Sequence, residues 1–356
     1  MDKIKLNSLF PDMECPLMVA GPCSAESPEQ LFRTAEELSQ MGIRIFRAGI
    51  WKARSHPHTF EGAGEEALDW MREVRRRTGM RLATEVASCG HVEAALKAGI
   101  DLLWLGARTT VNPFLVQELA DAMKGAEVAV LVKNPVSPDL ELWAGAVERF
   151  QEAGINRIEV IHRGFTSSGS GMYRNAPQWH LAIEMRRRFP DLLMLCDPSH
   201  ISGRREIVAD LSQQAMNLSF DGLFVECHCC PEEAKSDAAQ QLKPSALKEI
   251  LDSLEWKPSR MDSPWLSAAR LQIDALDDEL FELLARRLEL CRRIGEYKSE
   301  HNLPVLQPER YREMLASRVE KNGRFGIEAH CTEAMMEAIH EESVRQQMEI
   351  VLHNPQ

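Results

Sequence analysis

The chain has 356 residues, 44% of them apolar, and a formal net charge of −12, which suits two packed domains and speaks against non-specific binding to nucleic acid. No apolar run reaches the ~20 residues of a membrane span, and residues 17–20 are too short and too close to a Gly-Pro turn for a secretory leader. Nine cysteines, an odd number, without a leader are expected to be free thiols in a reducing cytoplasm.

Residues 1–14 are too few for a regulatory domain and are expected to form no more than a small cap. From residue 17 onward, short β-rich runs alternate with amphipathic stretches. The runs at 17–20, 43–47, 81–85, 101–105, 128–133, 157–162, 192–196 and 222–226 predict eight strands. The stretches at 28–41, 64–78, 89–98, 113–123, 140–153, 177–189, 204–216 and 244–254 predict helices between and after them. Continuous apolar runs separated by helices point to a parallel sheet. Eight such repeats predict a closed (β/α)8 TIM barrel over residues 1–255, within the α/β class. An open doubly wound sheet is the alternative, but no Gly-x-Gly-x-x-Gly turn follows the first strand.

Residues 256–264, with Pro258, Ser259, Ser263 and Pro264, interrupt both periodicities and read as a linker. Residues 265–356 carry only helical patterns and predict a small all-α domain. Its first helix, at 267–301, has apolar residues from Leu271 to Ile294 at three- and four-residue steps. Such a helix would run roughly 50 Å at 1.5 Å per residue, too long to bury its stripe within its own domain. A homodimer through this domain is therefore expected. Pro304 and Pro308 end the helix, and two more follow at 308–322 and 327–352.

In barrels of this kind the chemistry sits on loops after the strands. Four residues there suit a divalent transition metal: Cys23, His200, Glu226 and Asp237 offer a thiolate, an imidazole and two carboxylates. Manganese, iron, cobalt and zinc all fit that set, one ion per barrel. Six cations, Arg47, Lys52, Arg54, Arg108, Lys133 and Arg163, follow four of the strands, with Ser55 and Glu85 among them. Guanidinium forks and ammonium groups bind phosphate and carboxylate, so two phosphate-bearing substrates are expected, one of them also a carboxylate. A second metal at Cys227-His228-Cys229-Cys230 is not expected, because the spacing is not that of a paired C-x₂-C site. His56, His58 and His228 are weaker candidates than His200 for the same reason of placement.

Together Gly21-Pro22-Cys23-Ser24-Ala25-Glu26, Lys52-Ala53-Arg54-Ser55, Gly106-Ala107-Arg108, Asp197-Pro198-Ser199-His200 and Ser236-Asp237-x-x-Gln240-Gln241 resemble the 3-deoxy-D-arabino-heptulosonate 7-phosphate (DAHP) synthases. The resemblance covers the whole barrel and is to the branch nearest 3-deoxy-octulosonate 8-phosphate synthase. It implies metal ligation by Cys23, His200, Glu226 and Asp237. It implies phosphoenolpyruvate at Arg47, Lys52, Arg108, Lys133 and Arg163, with Lys52 catalytic, and erythrose 4-phosphate at Arg54, Ser55 and Asp197. Ala53 and Ser55 replace the family's usual proline and threonine, and Asn134-Pro135 replaces its usual pair after the fifth strand. The octulosonate enzymes separate their lysine and arginine by two residues, whereas one residue separates Lys52 from Arg54, which favours the four-carbon aldose phosphate.

The helical tail resembles the all-helical chorismate mutases through Arg270-x-x-Ile273-x-x-Leu276-Asp277, Arg286-Arg287, Lys298, Pro304-Val305, Glu309-Arg310 and Glu342-Ser343-Val344-x-x-Gln347. This implies that Arg270, Arg287 and Arg310 bind the carboxylates of chorismate. Lys298 and Gln347 would be catalytic at the ether oxygen, with Ser343 an auxiliary contact. It also implies an intertwined dimer in which one arginine comes from the partner chain. Gln307 and Tyr311 stand where acidic residues are usual. The expectation is a bifunctional shikimate-pathway enzyme, a transferase and an isomerase, whose tail also relays feedback from prephenate or chorismate. A non-catalytic dimerising tail, an octulosonate synthase fused to a mutase, and a binding barrel without catalysis are the alternatives.

Overall fold

Eight parallel strands, β1 (Leu17–Gly21), β2 (Ile45–Arg47), β3 (Arg81–Val86), β4 (Leu102–Leu105), β5 (Ala129–Lys133), β6 (Ile158–His162), β7 (Met194–Cys196) and β8 (Gly222–Glu226), pair in chain order, and β1 closes on β8. The computed structural model describes residues 16–52, 59–166, 171–255 and 264–353. The expected cap at 1–14, the side chains of Arg54, Ser55, His56 and His58, and linker residues 256–263 lie outside the described residues. The chain divides into two compact units, Met1–Ser259 and Arg260–Gln356.

Side chains alternate across each strand, so a barrel buried on both faces needs apolar residues at every position. Leu17, Val19, Ile45, Ala83, Leu102, Trp104, Ala129, Leu131, Ile161, Leu195 and Phe224 fill the barrel interior. Trp104 meets Phe224 edge-on there, with ring centroids 5.3 Å apart. Their neighbours Ala20, Phe46, Leu82, Leu103, Val130, Val160, Leu223 and Val225 belong to the outer layer under the helices. On six strands the interior register continues one step past the last apolar residue. Ile45 is followed by Arg47, Ala83 by Glu85, Leu131 by Lys133, Ile161 by Arg163, Leu195 by Asp197 and Phe224 by Glu226. The charged ring at the C-terminal mouth is thus in the same register as the core.

The helices are α1 (Pro28–Gln40), α2 (Glu66–Thr78), α3 (Cys89–Lys97), α4 (Ala107–Thr110), α5 (Pro113–Ala122), α6 (Leu140–Glu152), α7 (Trp179–Arg188), α8 (Pro198–Ser202), α9 (Val208–Asn217) and α10 (Pro244–Ser253). Ser27, Ser88, Asn112 and Asp139 cap α1, α3, α5 and α6 with side-chain acceptors. The short α4 and α8 were not expected, since neither is long enough to show helical periodicity. The helix expected at 204–216 opens as a 3-10 turn, Arg205–Ile207, before α9, and α7 starts only after Gln178, whose φ is 38°.

The second unit has three helices, α11 (Pro264–Glu300), α12 (Pro308–Gly323) and α13 (Ala329–His353). Gly295 lets α13 lie close along α11, since a Cβ there would sit 2.9 Å from Gln347 Cγ. Leu271, Ile273, Leu276, Leu280, Phe281, Leu283 and Leu290 of α11 are exposed. Among the described residues no helix is long and apolar enough to cross a membrane.

Candidate active sites of the two units

Gly21 ends β1 at φ 153°, and a Cβ there would lie 2.0 Å from the carbonyl oxygen of Arg47, so only glycine lets β1 approach β2 this closely. The turn that follows puts Cys23 at the mouth of the barrel. Its backbone N–H donates to Gln241 Oε1 (3.0 Å), and Gln241 Nε2 donates to the Ser236 carbonyl (2.8 Å), which ties the first loop to the loop that carries Asp237. Donor atoms of Cys23, Glu226 and Asp237 all lie within 4.8 Å of one another. Ligand bonds of roughly 2.0–2.3 Å place neighbouring donors on one ion ~3–4 Å apart, so this spacing suits a single divalent metal.

His200 approaches the cluster from α8. Asp197 caps that helix through Oδ1, which accepts from the His200 backbone N–H (3.0 Å). Its Oδ2 lies 2.8 Å from His200 Nδ1, close but outside hydrogen-bond alignment. His200 Nε2 stands 3.8 Å from Glu226 Oε1, but His200 is outside the group of donors that all lie within 4.8 Å of one another. Burial lowers the His200 pKa, which favours the neutral imidazole that a metal requires. A carboxylate behind a histidine ring is the usual way to fix the orientation of a ligating nitrogen.

Cys23 is buried, and its pKa is pushed up to about 12, first by burial and then by Glu226, against the opposing charge of Lys52. Its Sγ donates to Asp237 Oδ2 at 3.2 Å and accepts from Lys52 Nζ at 3.0 Å. Burial works against charge on Lys52, yet Cys23, Glu85 and Glu226 outweigh it and raise its pKa. Burial likewise disfavours ionised Glu226 and Asp237, but His200 and Arg47 hold the first, and Lys52, His200 and Arg174 the second, below the usual carboxylate range.

Beside this cluster is a cavity of about 360 Å³ lined by Lys52, Arg108, Lys133, Arg163, Arg174, Glu85, Asn175, His200 and Asp237, among others. Four of the expected phosphoenolpyruvate residues, Lys52, Arg108, Lys133 and Arg163, therefore share one wall with two of the expected metal ligands. Arg47 is not among the lining residues. It is buried against Trp104 and Phe224, 4.8 and 4.6 Å from the ring centroids, and its Nη2 donates to Glu226 Oε1 (3.2 Å). Its Nε and Nη1 have no hydrogen-bond partner among the described residues, which leaves two buried donors for an anion.

Asp197 lies beneath the site. It is fully buried, and besides His200 it accepts from Lys133 Nζ at 2.8 Å, so it organises the site from behind rather than facing the cavity. Two residues had not been singled out from the sequence. Asn175 accepts from Arg163 Nη1 (2.9 Å) and donates to the His200 carbonyl (2.6 Å). Arg174 donates to Asp237 Oδ1 (2.9 Å). Both follow a loop more than ten residues past β6, too far from a strand end to be read as rim residues.

The Cys227–Cys230 stretch holds no second metal cluster among the described residues. His228 Nδ1 accepts from the Cys230 backbone N–H (2.9 Å), and Cys229 N–H donates to Thr34 Oγ1 (3.1 Å).

In the helical unit, Lys298, Ser343 and Gln347 are buried. Lys298 Nζ donates to the Val305 carbonyl (2.6 Å) and to Gln347 Oε1 (3.3 Å), and Arg287 Nη1 donates to Ser343 Oγ (2.9 Å). Four expected residues from α11 and α13 are thus brought together. Arg270 and Arg310 are exposed and meet none of them in the described contacts, Arg310 lying 3.9 Å from Glu313. Tyr311 stacks on His340 (centroids 4.0 Å apart), which accounts for an aromatic ring where an acid is usual.

The family model of the DAHP synthetase I family matches residues 12–261, and that of chorismate mutase type II matches residues 269–348. The chain belongs to the DAHP synthetase I family. It carries both a DAHP synthase domain and a chorismate mutase domain. Over 238 residues the synthase unit is 32% identical to a phospho-2-dehydro-3-deoxyheptonate aldolase of Thermotoga maritima, covering 67% of this chain and 68% of that protein. A 2-dehydro-3-deoxyphosphooctonate aldolase 2 of Pseudomonas putida is 31% identical over 299 residues, covering 77% of this chain and 96% of its own length. The crystal structure of the Thermotoga maritima DAHP synthase superposes with a TM-score of 0.59 at 31% identity, over 66% of each chain, so this chain spans just under two thirds of that one. A truncated form of the Thermotoga enzyme gives 0.58 at 29% identity, over 66% of this chain and 83% of that one.

Proposed function

We propose that the chain is a bifunctional shikimate-pathway enzyme that condenses phosphoenolpyruvate with erythrose 4-phosphate to DAHP and phosphate, and rearranges chorismate to prephenate. The observation that carries the first activity is a cavity on which Lys52, Arg108, Lys133 and Arg163 meet His200 and Asp237, beside the cluster that Asp237 forms with Cys23 and Glu226. Cys23, His200, Glu226 and Asp237 would hold a divalent ion, which supplies a Lewis acid for the aldehyde oxygen. Arg108, Lys133 and Arg163, with Arg47 beneath, would hold the phosphate and carboxylate of phosphoenolpyruvate, while Arg54 and Ser55 take the aldose phosphate. Asp197 fixes Lys133 and His200 in place, so the two halves of the site share one buried carboxylate. Carbon three of the enolpyruvate bonds to the aldehyde carbon, water adds at carbon two, and phosphate leaves with its bridging oxygen. Positioned charge does the work, and no covalent enzyme nucleophile is needed.

In the helical unit, Lys298 and Gln347 would hold the ether oxygen of chorismate as its bond breaks, with Arg287 and Ser343 on a carboxylate. The rearrangement is intramolecular and asks only for a held conformer and stabilised charge. The isolation of Arg270 from the other residues, together with the bare apolar stripe of α11, supports a homodimer in which a partner chain completes the site. Binding of prephenate or chorismate there would inhibit the barrel. Couplings of this kind are typically ~1–3 kcal/mol, and unchanged barrel turnover at saturating prephenate would rule it out. A reducing cytoplasm suits the free thiol among the metal donors.

The octulosonate reading is favoured by relatives such as the Pseudomonas putida protein, which this chain matches over nearly their full length. Phosphate release with erythrose 4-phosphate, set against arabinose 5-phosphate, decides between the two. Faster turnover with the five-carbon sugar would replace the first assignment.

A further inference from the structure

We propose that Arg174 is a positioning residue for the metal centre, setting its affinity for a divalent ion by holding the Asp237 and Glu226 carboxylates in one arrangement. The inference rests on the metal-binding reading of Cys23, His200, Glu226 and Asp237.

One nitrogen of Arg174, Nη1, donates both to Asp237 Oδ1 (2.9 Å) and to Gln240 Oε1 (2.8 Å). Gln240 is buried and passes the constraint on, since its Nε2 donates to Glu226 Oε2 at 2.7 Å. Arg174 therefore grips one carboxylate directly and the other through an amide. In each case it takes the oxygen away from the cluster. The opposite oxygen of Asp237 meets Cys23 Sγ (3.2 Å), and the opposite oxygen of Glu226 meets Arg47 and lies near His200.

Asp237 has particular need of such a brace. Its φ of 46° is in the left-handed region, which a non-glycine residue holds only when its surroundings enforce it. The stem of Arg174 is itself seated. Its Cβ would be 2.5 Å from any Cβ at Gly203, the residue that ends α8, and its backbone N–H donates to the Ser202 carbonyl (3.3 Å). The helix that carries His200 thus sets the place of Arg174 as well. Supporting partners of ligating carboxylates typically change metal affinity by roughly 10–100-fold when removed.

The competing role is direct. Arg174 lines the same cavity as the substrate-facing cations and could serve as one more anion ligand. The two roles separate in binding to the metal-free full chain, with cadmium as the probe and affinity measured by chelator competition. Arg174→Met is expected to weaken cadmium roughly 10–100-fold, and Arg174→Lys, which restores a donor and a charge, to recover most of that loss. Wild-type cadmium affinity in Arg174→Met, with a raised KM for the aldose phosphate, would assign Arg174 to the substrate and overturn the proposal. Gln240→Met breaks only the arm to Glu226 and is expected to weaken cadmium at least severalfold. If Arg174→Met fails to fold, unchanged affinity in Gln240→Met overturns the proposal instead. Cys23→Ser keeps the tests distinct. Should it bind cadmium as tightly as wild type, the metal site itself is misassigned. Should it lose cadmium while Arg174→Met does not, only the role of Arg174 falls.

Discussion

Cys23 sits at the end of an apolar strand, where a cysteine is more often a small hydrophobe than a ligand. What distinguishes it is its company: two carboxylates and a lysine at hydrogen-bonding range or near it. Because its thiol is held protonated up to about pH 12, an arriving ion must displace a proton. Metal affinity should therefore rise about tenfold per pH unit between pH 6 and 8, with one proton released per ion. Chelator competition and a weakly buffered titration check this, and a flat profile would place the metal elsewhere. In the helical unit, Gln347→Ala should lower chorismate rearrangement roughly 100-fold or more, the usual cost of one lost donor to developing charge, and leave condensation unaltered. Loss of condensation instead would break the assignment of Gln347. Much of the site was legible because Arg47, Glu85, Lys133, Arg163, Asp197 and Glu226 interrupt apolar strands in register. Arg174 and Asn175 were not, because a long loop returns them to the mouth, and neither were the partners of Asp197, which come from β5 and α8.

Strand and helix boundaries fell within a residue or two of expectation wherever caps are explicit, as at Ser27, Ser88 and Asp139. Expectation failed at short elements. The α8 turn carries a full set of local signals, with Asp197 as cap, Pro198 at the first position and Gly203 at φ 69° as its end, but five residues show no period. The Gly295 contact between α11 and α13 gives a direct test of an element-level claim. Gly295→Ala puts a methyl group 2.9 Å from Gln347 Cγ, so it should lower mutase kcat and destabilise the helical unit by about 1–3 kcal/mol. Denaturant unfolding of the helical transition and mutase kinetics measure both, and a neutral outcome would mean that the helices can slide apart freely. On the open side of α11, Leu276→Glu places a charge in the middle of the exposed stripe. If a partner chain covers that stripe, the variant should sediment as a monomer and lose rearrangement with it. A fully active monomer would show that one chain completes the site.

At the scale of the molecule, the two units belong to two family matches that meet in the segment between residues 261 and 269. Every candidate metal ligand is in Met1–Ser259, and the buried lysine, serine and glutamine of the mutase site are in Arg260–Gln356. The central claim is that one chain houses a metal-dependent condensation and a metal-free rearrangement. The most direct test is to strip divalent ions from the full chain and assay both reactions in the same preparation. The account predicts that phosphate release from phosphoenolpyruvate and erythrose 4-phosphate is abolished and returns on adding a divalent ion, while conversion of chorismate to prephenate proceeds at its original rate. Loss of both activities, or of neither, would contradict it.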